Sequence, residues 1–380
     1  MAPRARVKGQ LSFSASVNLL AYRAAFGLAA SIRPPIARPI LLSEKSRVLC
    51  VSTAGLGDSL LDSAGIRAVA EAFPGIHLEA VVHHRRMDIA AHNPFLMALH
   101  PLSKGPLPFI FLWSRLKLRG PWDAVLYFSC HDPEVRCLGY LLSPDATVGL
   151  AWRTAMPWLC ARNVDEPGLK KAHLAAQAVR VAVAAGAKES KPRMAYRVHP
   201  AERDALAAKL EKFNSPRGPA IVFQLGGGGG EYRDWPVEHF VELARLTHAR
   251  GMGPIVLLGG PDHCGKAREF SRCAGHLPHC DLVGKLPLPL SAALLESARC
   301  VVSTDTGIMH LSFALGTPTL ALLHWSPGPG RVGPPCDPER HVVIALPKPR
   351  GDRSLHKGSM RDILPGQAFA GLCELCSRAK

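Results

Sequence analysis

Residues 299–324, RCVVSTDTGIMHLSFALGTPTLALLH, decide the fold. The apolar run Cys300, Val301 and Val302 is the pattern of a buried strand and ends at Ser303, Thr304 and Asp305. Thr306 and Gly307 make a turn. A helical pattern then runs to Leu315, where Gly316 and Pro318 close it. The second apolar run, Thr319 to Leu323, starts another strand. Strand, turn, helix, strand is the grammar of a parallel sheet. The helix start offers free N–H groups and a positive dipole end, which suit a phosphate. Gly307 allows close approach, and Asp305 and Thr306 can cap the helix. His310, one turn after Thr306, can share its face. The plain alternative is that Asp305 and Thr306 only cap and His310 only packs.

Working outward, the same grammar recurs on both sides. SRVLCVST (46–53) reads as a strand and AGLGDSLLDSAGIRAVAEAFPG as a turn and helix. Gly55 and Gly57 lie in that turn, and Asp58 stands where the helix begins. Asp58 is either a cap or a carboxylate at the carboxyl end of a strand, where open α/β sheets hold ligands. WDAVLYFS (122–129) and ATVGL read as strands and Lys170–Gly186 as a long helix. His83, His84, Arg85 and Arg86 form a basic cluster after a strand, a solvated face or a hold on an anionic acceptor. Residues 187–218 read as the passage between domains. Ala220–Leu225 then runs into five glycines, Gly226–Gly230. A run that costs so much chain entropy suggests backbone N–H groups approaching something closely. Arg233 adds a fixed positive charge, and Asp262 and His263 end the strand in PIVLLGGPDH.

At 380 residues the chain suits two domains. Hydrophobic residues are 47% and charged ones 20%, which is a globular composition. The net charge of +16 argues for an anionic partner. With aromatics at only 6% and no nucleic-acid motif, no nucleic-acid partner is expected. The cysteines stand mostly in apolar runs, as small buried hydrophobes do in a reducing cytoplasm. One CxxC (Cys373, Cys376) without a second pair leaves no expected metal site. Residues 1–43 lack Asp and Glu, and their apolar Leu11–Ser31 is either an amphipathic helix on a membrane surface or a disordered arm. No run is long and apolar enough to span a bilayer.

In order, GLGDSLL, DWPVEHFVELA, VLLGGPDH, LVGKLPLPLSAALLESA and STDTGIMHLSFALGTPTLALLHWSPGPGRVGPP resemble glycosyltransferase family 9, the heptosyltransferases of the lipopolysaccharide inner core. The resemblance runs from about Arg47 to the end of the chain. It implies an α/β GT-B fold, two Rossmann-like domains facing a central cleft. The expected divisions are a basic arm (1–45), an acceptor-binding domain (46–195), a nucleotide-sugar domain (196–350) and a helical segment (351–380).

The resemblance also implies inverting transfer of a heptose from an ADP-activated donor to a hydroxyl of an acidic lipid A/Kdo-type acceptor, with no cofactor. Asp58 falls on the general base, and Arg233 on the family's diphosphate-neutralising lysine. Gly228, Gly229, Gly230, Asp262, Asp305, Thr306, Gly307 and His310 are expected to hold the donor. Gly57, His84, Arg85 and Arg86 are expected to hold the acceptor. The absence of Asp-x-Asp points to transfer without a metal–diphosphate clamp. The expected location is the cytoplasm, peripheral on the inner face of an anionic membrane. The chain departs from the pattern in Arg for Lys at 233, in glycines for hydroxyl residues, and in lacking a cysteine-rich segment before the last helix, where Ser359 stands. The alternatives are a related GT-B transferase with another nucleotide sugar or acceptor, and a non-catalytic nucleotide-sugar-binding protein.

Overall fold

The computed structural model describes residues 13–130, 132–153, 156–213, 218–227, 230–349 and 358–378. Short apolar runs build two six-stranded sheets, parallel throughout. The first contains β1 (Arg47–Ser52), β2 (His77–His83), β3 (Ala98–Leu102), β4 (Ala124–Tyr127), β5 (Thr147–Leu150) and β6 (Arg162–Val164). The second contains β7 (Ile221–Gln224), β8 (Ile255–Leu258), β9 (Cys280–Asp281), β10 (Cys300–Thr304), β11 (Thr319–Leu323) and β12 (His341–Ala345). Strands such as IVLL (β8) and TLALL (β11) are apolar without alternation because both faces are covered, and every residue in them is buried.

The helices in the first half are α1 (Phe13–Ile32), α2 (Leu56–Ala72), α3 (Met87–Ala90), α4 (Pro106–Leu118), α5 (Pro133–Leu142) and α6 (Leu174–Ala184). Those that follow are α7 (Pro200–Lys212), α8 (Val237–Ala249), α9 (Cys264–Ala274), α10 (Leu288–Ser297), α11 (Gly307–Leu315), α12 (Pro329–Val332) and α13 (Pro365–Arg378). Among the described residues, no helix is long and apolar enough to cross a membrane.

The spatial order of the first sheet is β3-β2-β1-β4-β5-β6, and that of the second is β12-β11-β10-β7-β8-β9. Counted within each half, both are the Rossmann order, which reverses between the first and fourth strands. The fold is therefore α/β and of the GT-B kind. The reversal matters for function, because helices leaving the two central strands splay to opposite faces and open a crevice at the carboxyl edge. One crevice lies beyond β1 and β4, the other beyond β7 and β10.

Several expectations are adjusted. Residues 187–218 hold α7 as well as a connection. Lys170–Gly186 is not one helix: a 3-10 turn covers Leu169–Lys171, and α6 begins after its N-cap, His173. Leu11–Ser31 is helical from Phe13, and Tyr22, Phe26, Ala29 and Ala30 of α1 pack on the first domain's core.

Helix α2 crosses α6 at Gly65. A β-carbon there would lie 2.5 Å from the Ala178 carbonyl oxygen and 2.5 Å from Phe128 Cε1. The two halves are clasped by His173, whose Nε2 meets the Gly333 carbonyl at 2.9 Å while its Nδ1 accepts the Ala175 N–H at 3.1 Å. Arg331 donates back to the Lys170 carbonyl, and Arg193 pairs with Asp337 at 2.9 Å.

Two outcomes are expected. Gly65→Ala should lose about 1–3 kcal/mol in urea unfolding, since backbone stands where the methyl would go; unchanged stability would contradict so close a crossing. Burial pushes the His173 imidazole down from 6.5 to about 4, against the raising effect of its bond to Gly333. The unfolded chain therefore takes up this proton first, and the stabilisation is complete above pH 6.5 and lost as pH falls toward 4. Burial likewise brings His341 down to about 4. The melting temperature should fall from pH 7 to 5, and less so in His173→Gln; an unaltered slope in that variant would remove His173 from the account.

Candidate functional site

Each crevice is furnished by the loops that leave the central strands. From β1 the chain turns at Gly55 into α2, and Asp58 is that helix's third residue. Its Oδ2 accepts the Gly55 N–H at 3.1 Å, so Asp58 does help to cap the helix. Its Oδ1 faces Arg153 Nη1 at 3.9 Å, and a third of the side chain stays open to the cleft.

Beneath it, one turn on, Asp62 is buried. Its Oδ2 accepts from Ser52 Oγ at 2.6 Å and from the Ser129 N–H at 3.0 Å, and its Oδ1 accepts from Ser129 Oγ at 2.8 Å. Burial pushes the Asp62 carboxyl up to about 6, although these hydrogen bonds and Arg153 pull the other way. Arg153 donates to Ser129 Oγ and so joins this buried carboxylate to Asp58.

Across the cleft, β10 ends at Thr304 and α11 begins at Gly307. Thr306 is the N-cap, its Oγ1 accepting the Met309 N–H at 3.3 Å. The N–H groups of Gly307 and Ile308 precede the first intrahelical bond, so no bond of the helix ladder occupies them. Asp305 does not cap. Its Oδ2 lies 2.7 Å from Arg233 Nη1, and its Oδ1 lies 3.6 Å from His310 Nε2. Arg233 is further fixed by its Nε donating to Tyr232 Oη at 3.0 Å. His310 is buried, and within the described residues its Nδ1 has no hydrogen-bond partner.

The two helix starts touch. A β-carbon on Gly57 would lie 2.7 Å from His310 Cδ2, and one on Gly307 would lie 2.2 Å from Leu56 Cδ2. Around this contact lie two cavities that share Leu56, Thr306 and Gly307. One of about 490 Å³ is lined by Gly57, Asp58 and Arg86 from the first half and by Arg233, Asp305 and His310 from the second. The other, of about 770 Å³, is walled by Leu258, Leu286 and Leu288, by Gly259 and Gly260, and by Asp262. This larger space suits a nucleoside in size and lining.

The expected residues divide accordingly. Asp58, Gly57, Arg86, Arg233, Asp305 and His310 meet in the smaller cavity, and Asp262 in the larger. Thr306 and Gly307 face both. Of the basic cluster, only Arg86 lines the cleft, with its Nε buried and without a hydrogen-bond partner among the described residues. His84 and Arg85 are exposed outside it, His84 stacked on His83 with ring centroids 4.3 Å apart.

Gly228 and Gly229 lie outside the described residues. Of the other glycines, Gly227 lines the larger cavity, and each also has a role within the protein. A β-carbon on Gly226 would meet His263 Nε2, and one on Gly227 would lie 2.4 Å from Asp234 Oδ1. The Gly227 N–H is bonded by Asp234, while Gly230 holds a φ of 150° that favours glycine. The sequence reading missed Asp62, Ser129 and Arg153. Asp62 carried a signal, a second acid one helical turn after Asp58. Arg153 carried none, because only the order of β4 and β5 brings it there.

The family model described as glycosyltransferase family 9 (heptosyltransferase) matches residues 136–351, more than half of the chain. Lipopolysaccharide heptosyltransferase 1 of Escherichia coli (strain K12) is 26% identical over 304 residues, covering 76% of this chain and 90% of that protein. A family 9 glycosyl transferase from Veillonella parvula DSM 2008 superposes with a TM-score of 0.78 at 18% identity, covering 90% of this chain and 99% of that one. E. coli heptosyltransferase WaaC, solved with ADP-2-deoxy-2-fluoro heptose, gives 0.63 at 20% identity, with 86% and 99% covered. At these identities the solved structures speak for the fold. The family model, with a cleft built from both halves, gives the conclusion that this chain is a glycosyltransferase and belongs to glycosyltransferase family 9.

Proposed function

We propose that the chain transfers a heptosyl group from an ADP-activated donor to a hydroxyl of the acidic inner core of lipopolysaccharide, with inversion at the anomeric carbon. One observation carries this reading: Asp58 and the start of α11, from different domains, line one cavity. The names of the relatives supply the sugar and the acceptor class, and the size and apolar lining of the adjoining cavity support a nucleoside.

In this reading the diphosphate lies on the Gly307 and Ile308 amides with Arg233 beside it. The adenosine fills the larger cavity past Asp262, and Asp305 and His310 face the sugar. Asp58 removes the acceptor proton as the hydroxyl oxygen attacks the anomeric carbon and the bond to the diphosphate breaks. One displacement inverts that carbon and needs no enzyme nucleophile. Arg86 faces an acidic group of the acceptor. An anionic membrane surface, drawn by the basic N-terminal arm, His84 and Arg85, would keep the enzyme near a lipid-borne acceptor at the cytoplasmic face; residues 1–12 of that arm lie outside the described residues.

Purified protein should consume ADP-heptose with a truncated core acceptor and release ADP, and prefer it in a screen of nucleotide sugars; preference for another sugar would move the reading elsewhere in the fold. Asp58→Asn should lower turnover about 10²–10⁴-fold, with ADP affinity by calorimetry retained. Undiminished turnover would remove the base from Asp58. Arg233→Ala should lower kcat on the order of 10²-fold and weaken ADP binding, with part of the loss restored by Arg233→Lys; a silent Ala variant would exclude charge neutralisation by this residue.

A further inference from the structure

Helix α4 reads PLPFIFLWSRLKL and is apolar on almost every side. Such a helix ordinarily lies inside a core or a membrane. Here only Phe109, Leu112 and Leu116 are buried against the first sheet. Leu107, Ile110 and Phe111 stand at i, i+3 and i+4 on the opposite face, 67%, 50% and 73% exposed. Helix α1 packs beside α4, the Tyr22 ring meeting that of the buried Phe109 at 6.0 Å, and α1 exposes apolar side chains of its own, Leu20 being 65% exposed. Leu28 and Ile32 extend the exposed face of α1, and Arg23 lies over the half-exposed Trp158 ring. Among the described residues, nearly all the exposed large hydrophobic side chains lie in the first half of the chain. An apolar area of this kind marks an interaction surface.

Charge identifies the occupant. No Asp or Glu occurs in residues 1–43 or between Ile89 and Trp122. Lys104, Arg115 and Lys117 border α4, all exposed, and Arg23 borders α1. Glu134 of α5, half-buried, lies near Tyr22 and Lys104. The exposed charges around these apolar side chains are thus mainly cations, which fits a bilayer whose headgroups are anionic. A second copy of this chain would bring the same positive charge and be repelled. The placement also serves the chemistry. In a parallel sheet every strand-to-helix loop leaves at the same edge, so the first turn of α4 after β3 stands on the edge that carries Asp58 after β1 and Arg86 after β2.

We infer that the exposed faces of α4 and α1 are a docking surface for an anionic lipid bilayer, seated on its interface beside the mouth of the cleft. The inference goes beyond the proposed reaction and rests on it only in the use made of the docking, delivery of a lipid-borne acceptor.

The test is co-sedimentation of the full chain with vesicles of phosphatidylethanolamine and phosphatidylglycerol, against vesicles of phosphatidylcholine alone. The wild type should pellet with the first, less with the second, and less at high salt. The double variant Ile110→Glu/Phe111→Glu should reduce pelleting at least about tenfold, while turnover on a soluble acceptor without acyl chains stays unchanged. Lys104→Gln/Lys117→Gln, which leaves the packing alone, should weaken only binding to anionic vesicles. Equal pelleting of the Glu variant overturns the inference, as does a wild type that ignores both vesicles. A dimer by light scattering that this variant dissociates would assign the face to a second copy instead. Loss of turnover by the wild type on the soluble acceptor would count against the proposed reaction and leave the docking result standing.

Discussion

Two helix N-termini from separate domains press against each other, and the rest of the site follows from that contact. Helix α2 brings Gly57 against His310, and α11 brings Gly307 against Leu56, each so close that a β-carbon on the glycine would make the neighbouring side chain shift. Two positive dipole ends, with helix-start amides outside the intrahelical ladder, face one small space. Such a space selects for anions. Its own carboxylates sit where a cation answers them, Asp305 on Arg233 and Asp58 near Arg153. In the proposed reading, a diphosphate entering the cleft would meet donors already oriented by the fold, and preorganisation of this kind stabilises developing charge on a leaving group.

The two carboxylates of α2 show how burial separates roles. Asp58 is partly open and lies at the helix start. Asp62 is enclosed, pushed up to about 6, and spends its oxygens on Ser52 and Ser129. One acid faces the cleft, while the other ties β1, the end of β4 and Arg153 into a frame beneath it. Docking of the first domain on a bilayer would bring a lipid-held acceptor to the same carboxyl edge.

The stretch 299–324 was legible nearly to the residue, because a buried parallel strand, a capped turn and a glycine stop each leave strong local signals. Helix α11 does end at Leu315, with Gly316 beyond it at a φ of 71°. Less was legible where tertiary context decides. Strands β3 (ALHPL) and β6 (RNV) are short and partly exposed, and α4 begins at a proline inside a run with no polar face. The glycine run invited a ligand-centred reading; Gly226 and Gly227 also answer to His263 and Asp234 within the protein, and Gly227 lines the larger cavity. Of four adjacent basic residues only Arg86 enters the cleft, because a 3-10 turn after β2 points its neighbours outward. Periodicity does not resolve such differences.

The central claim is spatial, that one cleft holds a nucleotide's diphosphate on α11 and an acid from α2 opposite it. Its most direct test is a crystal structure of the protein with ADP. The account requires the phosphates within about 3 Å of the Gly307 and Ile308 amides and of Arg233, with the nucleoside among Leu258, Leu286 and Asp262 and Asp58 across the same opening. ADP in the cavity of about 710 Å³ between Arg299 and Arg340, at the amino edge of the second sheet, would contradict it. So would a bound state in which Asp58 faces away from the diphosphate.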